Sequence, residues 1–335
     1  MNKFNKFYNN ISEYYSKNIV TNFSPSNGYR YRCEFGYYNN FYLMHKNGKK
    51  IYLETFENTT SCIQKLMPKI LNEINSNVSV KEKLFQINFR SNINDDVMIS
   101  FIYHKKIDNK LIEIIKDIAK YLKVNFILRS KNFIYSTESN YFVDYIHNDA
   151  FKIYQTDNCF FQPNKFILPK MINTVISLID NPKDLLELYC GVGTFTLPLS
   201  KVFIKILATE NDRNSIKCLN KAIIDNNINN ISNSRLSSNE VAELFLGKIF
   251  RRMGDINLSD YNFSHVLVDP PRSGLDDKTI EIIKNFKNII YISCNPETYI
   301  DNIKSIKSHK IKYVELFDQF PNTDHLEIIS LLSVK

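Results

Sequence analysis

The alternation of apolar and polar positions changes partway along the chain. Residues 28–57 alternate aromatic and polar side chains (YRYRCEFGYY, FYLMHKNGKKIYLETF), a period of two that predicts strands with a turn at Asn47-Gly48. LFQINF, VMISFIYH, VNFILRS and NFIYSTE predict further strands, and residues 60–76 and 110–123 carry helical spacing, the second with lysines on its outer face. These elements make an α+β unit. From about residue 165 the pattern becomes strand–helix alternation, with strands LLELY, KILATE, HVLVD, NIIYIS and KYVELF. Helical segments NSIKCLNKAIIDN, KTIEIIKNF and PETYIDNIKSIKS lie between them. That alternation predicts an open, mostly parallel α/β sheet, with EIISLLSV as one more strand at its end. The Asn-rich stretch 225–234 reads as a loop.

Length and charge refine this picture. A chain of 335 residues suits about two domains. Hydrophobic residues at 44% and charged residues at 23% exclude a disordered or collagen-like chain. No stretch approaches the ~18 apolar residues of a membrane span. The opening MNKFNKFYNNISEYY has no apolar signal core, so a cytoplasmic location is expected. Residues 1–150 hold 21 Lys and Arg against 14 Asp and Glu, which is +7 of the total +8. Such a bias points to a polyanionic partner, most often nucleic acid. The six cysteines include no C-x-x-C pair, so no metal or iron–sulfur site is expected.

Ligands of an open α/β sheet bind beyond the carboxyl ends of its strands. Four motifs fall there. In LELYCGVGTF a strand runs into Gly191-Val192-Gly193, a turn that suits a nucleoside pocket. Thr196 stands where a dinucleotide fingerprint wants a third glycine. Glu210 ends the second strand, where a carboxylate can accept ribose hydroxyls or, alternatively, cap the next helix. In DPPRSGLD two prolines fix a turn that presents Asp269 and Arg272. In SCNPET, Cys294 ends a strand, and the following helix N-terminus at Pro296 would favour its thiolate. Each motif alone also has a plain structural explanation.

Together with FFQPN and FDQFPNTDHLE, these motifs resemble the RNA uracil-5-methyltransferases that use S-adenosylmethionine, most closely the bacterial enzymes acting on tRNA. YRYRCEF, LFQINF and YHKK extend the resemblance over nearly the whole chain. The resemblance implies a Rossmann-like α/β methyltransferase domain at 159–335 and an α+β RNA-binding domain at 1–158. It implies Cys294 as nucleophile at uracil C6 and Glu327 as the base that takes the C5 proton, with His325 ranked below it. Gln162, Tyr189, Thr194, Glu210 and Asp269 are the implied S-adenosylmethionine contacts, and Phe85 and Arg272 the implied contacts of the flipped base. Thr194 replaces a family Asn, and Gly36 replaces a family Arg whose RNA contact Arg30 or Arg32 could supply. The implied substrate is uridine 54 in the T loop of tRNA, giving 5-methyluridine, with no membrane and no obligate protein partner. Three alternatives stay open: the same chemistry on ribosomal RNA, a non-catalytic RNA-binding module, and an amino-group methyltransferase, which needs no cysteine.

Overall fold

A computed structural model of the chain describes residues 3–46 and 48–335. In chain order the first elements are α1 (Lys3–Ile11), β1 (Val20–Asn22), β2 (Arg32–Tyr38), β3 (Phe41–Lys46), β4 (Lys49–Leu53), α2 (Ser61–Ser76), α3 (Val78–Lys81), β5 (Leu84–Ser91), β6 (Val97–Tyr103), α4 (Asn109–Leu122), β7 (Asn125–Ser130) and β8 (Phe133–Ser136). A hairpin of β9 (Phe142–Ile146) and β10 (Phe151–Gln155) follows. Then come α5 (Leu168–Ser177), β11 (Asp184–Leu188), α6 (Thr196–Leu199), β12 (Lys205–Thr209), α7 (Arg213–Asp225), β13 (Ile231–Ser234), α8 (Ser238–Phe245), β14 (Phe263–Val268), α9 (Asp277–Ile283), β15 (Asn288–Ser293), α10 (Pro296–Ser305), β16 (His309–Phe317) and β17 (Glu327–Val334).

The first sheet has the order β4-β3-β2-β5-β6-β7-β8. Its inward face packs on α2 and α4 through Ile63, Met67, Ile70, Phe89, Phe101 and Ile115, so the alternation in the sequence becomes a half-buried sheet. Of the predicted Asn47-Gly48 turn, Asn47 lies outside the described residues; Gly48 has φ +75°. The second sheet has the order β1-β16-β17-β15-β14-β11-β12-β13 and carries helices on both faces, with two large apolar clusters. Strands β11, β12, β13, β14 and β15 pair in parallel, and β11, β12, β14 and β15 are largely buried runs, as strands covered on both faces are.

Three expectations need correction. β17 does not end the sheet. It inserts antiparallel between β15 and β16, because EIISLLSV is buried on both faces and needs a partner at each edge. Part of the Asn-rich stretch forms β13 at the sheet's other edge; only Ser234 of its four residues is buried, so apolar patterning was absent. The division at residue 158 does not follow packing. Phe4, Phe7 and Ile11 of α1 bury in the second core, and β1 pairs with β16. The β9–β10 hairpin packs Phe151, Ile153 and Tyr154 into the other of the second sheet's two apolar clusters.

Polar links hold the first sheet against the segment that leads into the second. The Tyr31 N–H donates to Pro163 O at 2.8 Å. Arg129 makes a two-pronged contact with Asp157 at 2.8 and 2.6 Å. Arg90, 3% exposed, donates to Gln155, Asp157 O and Cys159 O. These contacts fix FFQPN between the two sheets.

Candidate active site

The site forms at one edge of the second sheet. Parallel strands deliver their carboxyl ends there, so Tyr189, Glu210, Asp269 and Cys294 follow β11, β12, β14 and β15. The antiparallel β17 begins at the same edge, and its Ile328 pairs with Ser293. Glu327 therefore arrives beside Cys294 although 33 positions separate them in the numbering.

Two turns are tied together around Cys294. The Arg272 carbonyl accepts from Asn295 Nδ2 at 2.9 Å and Thr298 Oγ1 at 3.2 Å. Gly274 closes the DPPRSG turn at φ +76°, and a Cβ there would stand 2.6 Å from Asn302 Oδ1. The same Asn302 oxygen accepts from Leu275 N at 2.9 Å and from Tyr291 Oη at 2.7 Å. Pro296 and Asn295 start α10; the Asn295 side chain accepts from the Glu297 N–H at 3.1 Å. The Arg272 guanidinium is exposed and lies 3.1 Å from His325 Nε2. Cys294 and Arg272 line a cavity of about 470 Å³ whose other walls are α1, the start of α10 at 295–297, and Asp324 and His325.

Electrostatics reverse one expectation. Burial, then the Glu327 and Asp269 carboxylates, push the Cys294 thiol up to about 12, against a smaller opposing pull from Arg272. The helix N-terminus does not prevail, because a desolvated thiolate beside two acids is the costlier charge. Burial and the Asp269 charge also raise Glu327 well above the carboxylate range. Burial, helped by Glu210, lifts Asp269 to about 7. Glu327 Oε2 is buried and has no hydrogen-bond partner among the described residues. Cys294, Asp269 and Glu327 thus form a coupled group that cannot carry three negative charges at neutral pH.

Sequence reasoning missed two buried polar residues, of which the first is coupled to Asp269. Glu187, 1% exposed in mid-β11, has an unpartnered Oε2 and is pushed up to about 8 by burial, with the Asp269 charge adding. An acid inside a strand buried on both faces was the available signal. Gln319 is fully buried; its Nε2 donates to Gln162 Oε1 at 2.5 Å and its Oε1 is unpartnered.

The remaining expected residues distribute as follows. Glu210 is held by two backbone donors, Gly191 N–H at 3.1 Å and Asp212 N–H at 2.7 Å. It does not cap α7; Asp212 does, accepting from Ser215 N–H at 2.7 Å. Tyr189 adopts φ +60°, a left-handed conformation uncommon outside glycine, and packs against the second core. Thr194 is buried beside Gly193, where a Cβ would stand 2.6 Å from Leu219 Cδ1. Phe85 is not a core residue. It lies outside the Cys294 cavity, exposed on β5 and stacked 4.2 Å from His104. Arg30 sits over the Phe320 ring at 5.4 Å and, with Arg32 and Phe160, lines a separate groove of about 290 Å³. Arg32 Nη1 donates to Cys159 O at 3.2 Å. All six cysteines are free thiols, and Cys294 and Cys62 are the two not fully buried. No cluster of metal-ligating side chains occurs among the described residues. No helix among them is long and apolar enough to cross a membrane.

Known proteins resemble this chain in sequence and in fold. The profile of the tRNA (Uracil-5-)-methyltransferase family matches residues 1–335. A tRNA/tmRNA (uracil-C(5))-methyltransferase of Campylobacter concisus is 40% identical over 97% of this chain and 91% of its own length. The protein of the same name from Acinetobacter baylyi is 36% identical over 93% of this chain and 91% of its own. The crystal structure of Pyrococcus abyssi tRNA (uracil-54, C5)-methyltransferase in complex with S-adenosyl-L-homocysteine superposes with a TM-score of 0.78 at 19% identity, covering 98% of this chain and 82% of that one. That superposition shows a common fold, with the α/β methyltransferase sheet in both. By sequence over its full length, the chain belongs to the tRNA (uracil-5-)-methyltransferase family.

Proposed function

We propose that the protein methylates C5 of a uridine in the T loop of tRNA, uridine 54, using S-adenosylmethionine, with Cys294 as nucleophile and Glu327 as base. The observation that carries this reading is the convergence of a cavity-lining thiol with two carboxyls of raised pKa at one sheet edge. The residues present fit the cofactor. Glu187 and Glu327 hold unpartnered buried oxygens and Asp269 is desolvated, a set of acids that a cationic sulfonium complements. Glu210, Tyr189, Thr194, Gln162 and Asp269 would hold it, with the two oxygens of Glu210 preset by backbone N–H groups to accept ribose hydroxyls.

Uracil C5 is a weak nucleophile, and the fold supplies a route around this. The Cys294 thiolate adds to C6, and the electron pair of the 5,6 double bond passes through C5 and C4 to O4. Arg272 is placed to donate to that developing oxyanion. S-adenosylmethionine, when bound, supplies the methyl group that C5 takes up. Glu327 then removes the C5 proton, and re-formation of the double bond expels Cys294. Burial and the Asp269 charge raise Glu327 above the usual carboxylate range, so once ionised it is a stronger base for the C5 proton than an exposed carboxylate. The exposed Phe85, the Arg30–Arg32 groove and the basic first half of the chain would meet RNA around the flipped base, whose extrusion costs a few kcal/mol.

Methyl transfer to unmodified tRNA and to ribosomal RNA, with the modified position mapped, tests this reading. Methylation of T-loop uridine alone supports it; methylation of ribosomal RNA alone refutes the assigned substrate.

A further inference from the structure

The helix α1 forms part of the wall of the Cys294 cavity, through Lys3, Lys6, Phe7 and Asn10. One of these side chains reaches much further than packing requires. Lys3 Nζ donates to Asp318 Oδ1 at 2.6 Å, to Phe320 O at 3.1 Å and to His325 O at 2.9 Å. An ammonium has three donors, and all three go to one loop, the connection between β16 and β17. The Lys3–Asp318 pair is 10% exposed on each side, unlike the outer Lys6–Glu297 pair at 63% and 69%.

That loop carries two contacts into the site. Gln319, next to Asp318, donates to Gln162, and the His325 ring lies 3.1 Å from Arg272. The loop then delivers Glu327 as the first residue of β17. The lysine is not needed to hold its own helix, because Phe4, Phe7 and Ile11 already bury in the core. Its charge is spent on the loop.

We propose that Lys3 is a positioning residue for the methyl-transfer site: it latches residues 318–325 so that Gln319 and His325 hold Gln162 and Arg272 in place. The inference rests on the reading of Cys294, Arg272 and Gln162 as the uracil site. Lys3 touches neither the nucleophile nor the base, so its removal loosens orientation and leaves chemistry groups intact. Misplacement of about 1 Å in a catalytic group costs up to about a hundredfold in rate.

The test is steady-state methylation of unmodified tRNA by the wild type, Lys3→Met and Lys3→Arg. Lys3→Met is expected to lower kcat by about tenfold or more with KM for tRNA within about twofold, since the damage falls on the transition state. Lys3→Arg keeps the charge and several donors and is expected to recover most of that loss. An unchanged kcat in Lys3→Met, an effect confined to KM, or an arginine variant as slow as the methionine variant overturns the proposal. A wild type inactive on tRNA overturns the functional reading and this inference together; an active wild type matched by Lys3→Met overturns this inference alone.

Discussion

The raised pKa of Cys294 makes a measurable demand on the free protein. At a pKa of about 12 the thiolate is scarce near neutral pH. An ordinary thiol titrates near ~8.5, so Cys294 presents on the order of three thousandfold fewer thiolates. Each thiolate is more nucleophilic as its pKa rises, and a Brønsted slope near ~0.45 returns about fortyfold of reactivity. The net is alkylation about eightyfold slower than a free cysteine. Cys294 is only partly buried, and solvent screening trims this to at least about tenfold. The assay is peptide-resolved alkylation by iodoacetamide between about pH 6 and 11, against a short cysteine peptide. The logarithm of the rate at Cys294 should climb linearly with pH well beyond the point where the peptide levels off near ~8.5. A plateau below about pH 9, or a neutral-pH rate matching the peptide, would refute the claim that burial and the Asp269 and Glu327 charges outweigh the α10 N-terminus.

Three further outcomes are expected. Gly274→Ala places a Cβ 2.6 Å from Asn302 Oδ1 at φ +76°. Left-handed strain of ~1 kcal/mol and the loosening of two Asn302 hydrogen bonds at ~1 kcal/mol each predict a loss of about 3 kcal/mol in denaturant unfolding; a loss under about 1 kcal/mol would show that the turn relaxes freely. Affinity for tRNA should fall steeply with salt, the logarithmic slope being about −0.9 per phosphate contact, and a flat dependence between low and physiological salt would remove the basic first half of the chain from RNA binding. Glu327→Gln keeps the shape but not the base. Turnover should fall about a hundredfold or more while a protein–RNA adduct accumulates on denaturing gels, and normal turnover would take Glu327 out of the proton transfer.

Much of this architecture is legible in the sequence, for definite reasons. The parallel strands other than β13 are mostly apolar runs of five or six residues, and their glycine and proline punctuation marks where chemistry collects. Cys294, Asp269 and Arg272 could be placed at strand ends on that basis. β13 was not legible, since ISNS at a sheet edge has little to bury. Nor was the association of α1 with the far sheet, because three apolar residues in a nine-residue, Asn-rich segment do not say which core they enter. The direction of the Cys294 shift depends on charges from β14 and β17 as well as its own helix, so reading the following helix alone gave the wrong sign. Gln319 and Lys3 depend on contacts across 157 and 315 positions, for which local sequence holds no signal.

The covalent route through Cys294 is tested most directly by tritium release. The protein is incubated with S-adenosylmethionine and unmodified tRNA tritiated at uracil C5, wild type beside Cys294→Ala, with cofactor binding measured for both. Release by the wild type and none above background from the variant is the predicted result. Equal release from Cys294→Ala, or methylation of tRNA without loss of tritium, would contradict it.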